Sequence, residues 1–148
     1  MEPLTAFAAV VALVAAATVL GLAWRARQGR IAPVAGVLIT PTDVASDAPF
    51  GRAATLLQFS TALCARCPGT ARLLAGVADS RPGVAHLDID LTHRADLANR
   101  FGVMQTPTTL ILDGAGRVRF RIGGVPHRAG VARHLDDLTG SSHAHHVR

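Results

Sequence analysis

Residues 54–78 read ATLLQFSTALCARCPGTARLLAGVA. The first six, ATLLQF (54–59), form a short apolar run of the kind a buried strand requires. Residues 67–78 carry apolar side chains at helical spacing, at Ala71, Leu74, Val77 and Ala78. Between strand and helix lies Cys64-Ala65-Arg66-Cys67, which holds the only two cysteines of the chain. A CxxC pair at a strand-to-helix junction, with no other cysteine present, reads as a redox dithiol. A thiol acts as a nucleophile only as its thiolate, and a free cysteine ionises near pH ~8.5. The start of a helix offers free N–H groups and about half a positive charge, which stabilise a sulfur anion placed there. Cys64 is then the attacking thiol. Cys67, one helical turn on, is the resolving thiol that closes the disulfide and releases the substrate. Arg66 adds a full positive charge beside them, which tunes Cys64 toward the thiolate; the alternative for Arg66 is a solvated surface side chain.

Metal binding competes for the same two sulfurs. A structural zinc site normally takes four ligands, and His86, His93, His127, His134 and the tail residues His143, His145 and His146 supply no second pair at ligand spacing. No metal site is therefore assigned, and no cofactor beyond a redox-active Cys64–Cys67 disulfide. The rival readings are a copper- or zinc-handling module built on the CxxC and a non-catalytic assembly factor with the same fold.

Outward from this centre, strand and helix signals alternate. Residues 84–89 (VAHLDI) read as a strand and 95–101 as a short helix stopped by Gly102. Residues 108–112 and 118–122 read as two strands around Asp113-Gly114-Ala115-Gly116, a hairpin signal. Residues 127–138 form a terminal helix with Val131, Leu135 and Leu138 on one face, and residues 37–40 suit a short strand. Asp88 and Asp90, and Asp136 with Asp137, read as solvated acids. Pro107 falls directly before a strand, the position at which proline is compatible with a sheet. The alternation implies an α/β domain of three layers, α/β/α, with a mixed sheet.

The strand ATLLQFS, CARC at a helix head, the strand VAHLDID, RFGVMQTPT 43 residues beyond Cys64 at Pro107, and the hairpin TLILDGAGRVRFRIGG occur in this order. Together they resemble the thioredoxin superfamily over residues 36–140. The resemblance implies a thioredoxin-like fold and an enzyme, a protein thiol–disulfide oxidoreductase. Cys64 and Cys67 match the active-site dithiol. Thr106 and Pro107 match the cis-proline loop, whose backbone pairs with a substrate strand, and Gly123 or Gly124 matches the glycine bordering the substrate groove. Substrates would be protein disulfides or dithiols held by main-chain hydrogen bonds, with another dithiol protein as electron donor or acceptor. The chain also departs from the pattern. Leu63 precedes the motif, and Ala65-Arg66 separates the cysteines. Gln58 stands where thioredoxins carry a buried aspartate that helps deprotonate the resolving thiol, and a neutral amide is no general base. The stretch 36–54 is short for the family's first helix.

Residues 4–24 (LTAFAAVVALVAAATVLGLAW) carry no charge. A helix of about 20 residues crosses the roughly 30 Å hydrocarbon core of a bilayer, and an apolar surface all round suits lipid. A cleaved signal peptide calls for a basic leading segment, whereas Met1-Glu2-Pro3 has none. Residues 25–35 then form a basic linker with Arg25, Arg27 and Arg30, and 141–148 a disordered histidine-containing tail. The positive-inside rule places that arginine flank, and the domain with it, in the cytoplasm. The expectation is a single-pass protein of the cell membrane with its N-terminus outside; an extracytoplasmic domain is the alternative. A cytoplasmic thiol pool favours the reductase direction.

The 148 residues allow one domain plus this appendage. All 15 basic residues are arginine, giving a formal net charge of +5. Residues 36–140 hold 11 Arg against nine Asp, a surplus of only two. With no basic stripe and no interleaved aromatics, the profile is not that of a nucleic-acid-binding protein.

Overall fold

The computed structural model describes residues 3–34 and 36–144, without the side chains of 141–144. Helix α1 spans Pro3–Arg27, and none of its residues is buried. At ~1.5 Å per residue it is about 37 Å long. It is the one helix, among the described residues, long and apolar enough to cross a membrane.

A five-stranded sheet follows, in the order β1-β5-β4-β2-β3. Its strands are β1 (Ile31–Pro33), β2 (Ala54–Ser60), β3 (Val84–Asp90), β4 (Thr108–Asp113) and β5 (Val118–Gly123). β2 and β3 are parallel, with Gln58 opposite Asp88. The other pairs are antiparallel, with Phe59 opposite Thr108, Thr108 opposite Gly123 and Ile31 opposite Ile122. Helix α2 (Cys67–Asp79) connects the parallel pair, α3 (Ala95–Arg100) precedes β4, and α4 (Arg128–Ala144) closes the chain.

Side-chain alternation along β2 divides the core in two. Leu57 and Phe59 enter one apolar cluster with Ile39, Val44, Leu97, Leu110 and Leu112. Ala54 and Leu56 enter the other with Leu74 and Val77 of α2 and Val131 and Leu135 of α4. Every residue of β2 is buried, as a central strand covered on both faces must be.

Three expectations change. The basic linker 25–35 is not a free segment: α1 continues through Arg27, and Ile31–Pro33 is the edge strand β1. Residues 37–40 form no strand; Leu38 makes one isolated bridge to Arg117. Beyond β1 the chain still follows the outer edge of β5, with Val34 N donating to Arg119 O, Val118 N to Val37 O and Ile39 N to Gly116 O, but these bonds do not join into a continuous ladder. The sheet thus begins before Gly36. Between β1 and β2 the helical structure is a single 3-10 turn at Pro41–Val44, in place of the family's first helix. Finally, Ser141–Ala144 of the expected tail belong to α4, while residues 145–148, with His145 and His146, lie outside the described residues.

Candidate active site

The antiparallel pairing of β4 with β2 brings the start of β4 beside the end of β2, and β5 returns to the same place. Three chain segments far apart in sequence therefore meet at one end of the sheet. The first is the motif after β2, where Cys64 and Cys67 form a disulfide with their Cα atoms 5.4 Å apart. Cys67 opens α2, with Pro68 behind it in the first turn, where a missing N–H costs nothing. Cys67 is only 3% exposed, whereas Cys64 is half-buried at the rim. The two cysteines are thus unequal: Cys67 is nearly buried, at the floor of the site, and Cys64 is partly exposed.

The second segment is the loop before β4. The Thr106–Pro107 peptide bond is cis. Thr106 Oγ1 lies 3.3 Å from Thr61 Oγ1, tying this loop to the end of β2. The backbone N–H and C=O of Thr106 make no hydrogen bond among the described residues, so a main-chain donor and acceptor stand free next to the disulfide. The third segment is Gly123–Gly124. Gly124 N donates to Pro107 O at 2.8 Å, and its φ of +85° is a conformation that favours glycine.

Gln58 is fully buried. Its Nε2 donates to the carbonyl of Cys67 at 3.2 Å, and its Oε1 faces His86 Nε2 at 3.2 Å. With the amide so oriented, Nε2 of His86 is the donor. The side chain therefore braces the Cys67 backbone and takes no proton. Burial pushes the His86 imidazole below its ordinary value, against the opposing attraction of Asp88 and Asp79. Sequence reasoning marked the missing aspartate but passed over His86. No local signal pointed to it: only the parallel register of β2 and β3, with Gln58 opposite Asp88, puts His86 on the face of Gln58.

Arg66 is exposed, and its Nη1 donates to Gln28 Oε1 at 3.3 Å. Asp88 and Asp90 are exposed. They line an open cleft together with Ser60, Thr61, Cys64 and Cys67, so water reaches the motif. Asp90 accepts hydrogen bonds from Thr92, whose Oγ1 accepts from Ala62 N at 2.8 Å; those bonds hold the carboxyl below its usual range. Among the described residues no three His, Cys, Asp or Glu side chains converge as metal ligands.

No protein-family model matches the chain, and no curated protein sequence does. Solved structures do. A mutant thioredoxin from Halobacterium salinarum NRC-1 superposes with a TM-score of 0.53 at 22% identity, over 66% of this chain and 80% of that one. Thioredoxin-2 of the malaria parasite gives 0.52 at 17% identity, over 57% and 82%. Fasciola hepatica thioredoxin gives 0.50 at 17%, over 59% and 82%. The fold is thioredoxin-like: a mixed sheet with helices on both sides, preceded in this chain by an apolar helix.

Proposed function

We propose that the chain is a membrane-tethered thiol–disulfide oxidoreductase that reduces disulfides of protein substrates. The observation that carries this reading is the inequality of the two cysteines at the head of α2, Cys67 nearly buried and Cys64 partly exposed. In the reduced protein the Cys64 thiolate attacks one sulfur of a substrate disulfide. A Cys64–substrate bond forms, the substrate S–S bond breaks, and the displaced thiolate leaves. Cys67 then loses its proton to water in the adjoining cleft and attacks Cys64 Sγ. The intramolecular disulfide closes and the second substrate thiolate departs. Two electrons pass from the dithiol to the substrate, and another dithiol protein restores them.

The free backbone of Thr106 suits a substrate strand added beside Pro107, with Gly123 and Gly124 leaving the groove open. Arg66 and the start of α2 favour the Cys64 anion. α1 supplies the anchor. The arginines at its end favour a cytoplasmic domain, and there the reductase direction follows from the reducing surroundings.

Trapping tests the reading. In Cys67→Ser the second step is lost, so Cys64 should hold a substrate as a mixed disulfide that dithiothreitol releases. A Cys67→Ser protein that forms no such adduct with any disulfide substrate overturns it.

A further inference from the structure

We propose that the redox end of the domain is held in the headgroup layer of the membrane that α1 crosses, and that its partner is an integral membrane protein presenting a disulfide at that depth. The inference rests on the oxidoreductase reading above and adds to it the class of substrate.

Chain length begins the argument. Only Gln28, Gly29 and Arg30 separate α1 from β1. Even fully extended, three residues reach about 10 Å, so the domain stays against the bilayer surface. Topology then decides which end faces it. β1 runs antiparallel to β5, with Ile31 opposite Ile122, so the end of the sheet nearest α1 is the end that carries Gly123, Gly124 and Pro107. The opposite end, at the Asp113–Arg117 hairpin turn, points away.

The junction is fastened to the site itself. Gly29 N donates to Gly123 O at 2.8 Å. Gln28 packs on Gly124, where an added Cβ would meet its Oε1 at 3.1 Å, and the same oxygen accepts from Arg66 inside the CxxC motif. Gly21, Trp24 and Arg25 of α1 share one open cleft with Arg66 and Val125. Gly21 lies six residues, about 9 Å of helix, before Arg27. The motif therefore stands alongside the last turns of the helix, at the level where Trp24 and Arg25 suit the interface. Arg25, Arg27 and Arg66 present positive charge to anionic headgroups. Leu63, next to Cys64 in the chain, is 97% exposed, and Met104, in the loop that leads to Pro107, is 93% exposed, as expected of a surface that meets an amphipathic partner.

Depth-dependent reduction tests this. The reduced full-length chain is reconstituted in vesicles of mixed phosphatidylcholine and phosphatidylglycerol with single-span peptides. Each peptide carries one disulfide, either at headgroup level or raised about 20 Å above it on a rigid helical stem; a soluble peptide carries the same disulfide. The headgroup-level disulfide should react about tenfold faster than the raised one, although both are confined to the same membrane. A flexible Gly/Ser segment inserted between Arg27 and Gln28 should abolish that difference and preserve reaction with the soluble peptide. Equal rates at both heights, or preference for the raised or soluble disulfide, overturn the placement and leave the thiol chemistry standing. No reaction with any of the three overturns the thiol chemistry, and the placement falls with it.

Discussion

The two faces of β2 are equally buried but are built differently. On one, Leu57 and Phe59 stay apolar to the end of the strand, and Phe59 stacks on Phe101 with ring centroids 5.4 Å apart. On the other, Ala54 and Leu56 are apolar, but Gln58 and Ser60 succeed them as the strand approaches the disulfide. The first face supplies mainly hydrophobic stabilisation, its one polar side chain on β2 being Thr55, whose Oγ1 accepts from Gly51 N at 2.9 Å. The second exchanges some of it for a polar brace on the Cys67 carbonyl. Burial therefore does not by itself identify core. Within the second face, what decides the worth of a buried polar atom is whether it has a partner. Gln58 has one at each end of its amide. Thr109, directly opposite it on β4, has a buried hydroxyl with no hydrogen-bond partner in the structure.

Four measurements sharpen or break this contrast. The largest effect is expected on the apolar face. Phe59→Ala should cost about 3–5 kcal/mol in urea unfolding, because it removes transfer energy and leaves a cavity; a cost no greater than that of a polar-face change would erase the distinction. Next, Gln58→Leu keeps the volume but removes the second hydrogen bond of the Cys67 carbonyl and the partner of the His86 N–H, and should cost roughly 1–3 kcal/mol. It should also lengthen the lifetime of the mixed disulfide in single-turnover kinetics, since Cys67 loses its brace. A Leu variant as stable as the parent, with unchanged kinetics, would show that the amide is only filler.

Thr109→Val removes this buried hydroxyl, the only unpaired one among the described residues, without changing shape, and should raise stability by about 1 kcal/mol. A loss of stability would mean that the hydroxyl is satisfied in solution. The smallest effect is pH-dependent. Because burial lowers the proton affinity of His86, the unfolded chain takes up that proton first as pH falls. Its contribution is complete above the ordinary histidine value of about 6.5 and is lost as pH falls through the depressed folded value. The Asp88 and Asp79 carboxylates that face it oppose the loss. His86→Gln, which does not titrate, should flatten the stability profile between about pH 7.5 and about pH 5.5 relative to the parent. A parallel profile would place the titrating group elsewhere.

Most elements of the domain were legible because their patterns are local. The apolar run 54–59, the helical spacing after Cys67 and the Asp113–Gly116 turn each decide their own conformation within a few residues, and the observed strands and the helices α2 and α3 differ from those readings by a residue at their ends, whereas α4 runs six residues beyond its expected end. α1 was as clear, since a long uncharged stretch has few ways to fold. The edge strand was not. Ile31-Ala32-Pro33 is too short to show a period, and only the free edge of β5 makes it a strand.

Spacing and chemistry alone, then, gave the cysteine pair, most of the strands and helices in order, and the long apolar helix at the N-terminus, each resting on interactions between near neighbours in the chain. Tertiary structure decided which cysteine is nearly buried, that Gln58 meets His86 and the Cys67 carbonyl, and that Gln28 reaches Arg66. Those contacts join groups from separate elements, whose distances are fixed only once the sheet has set its register and the helices have packed upon it.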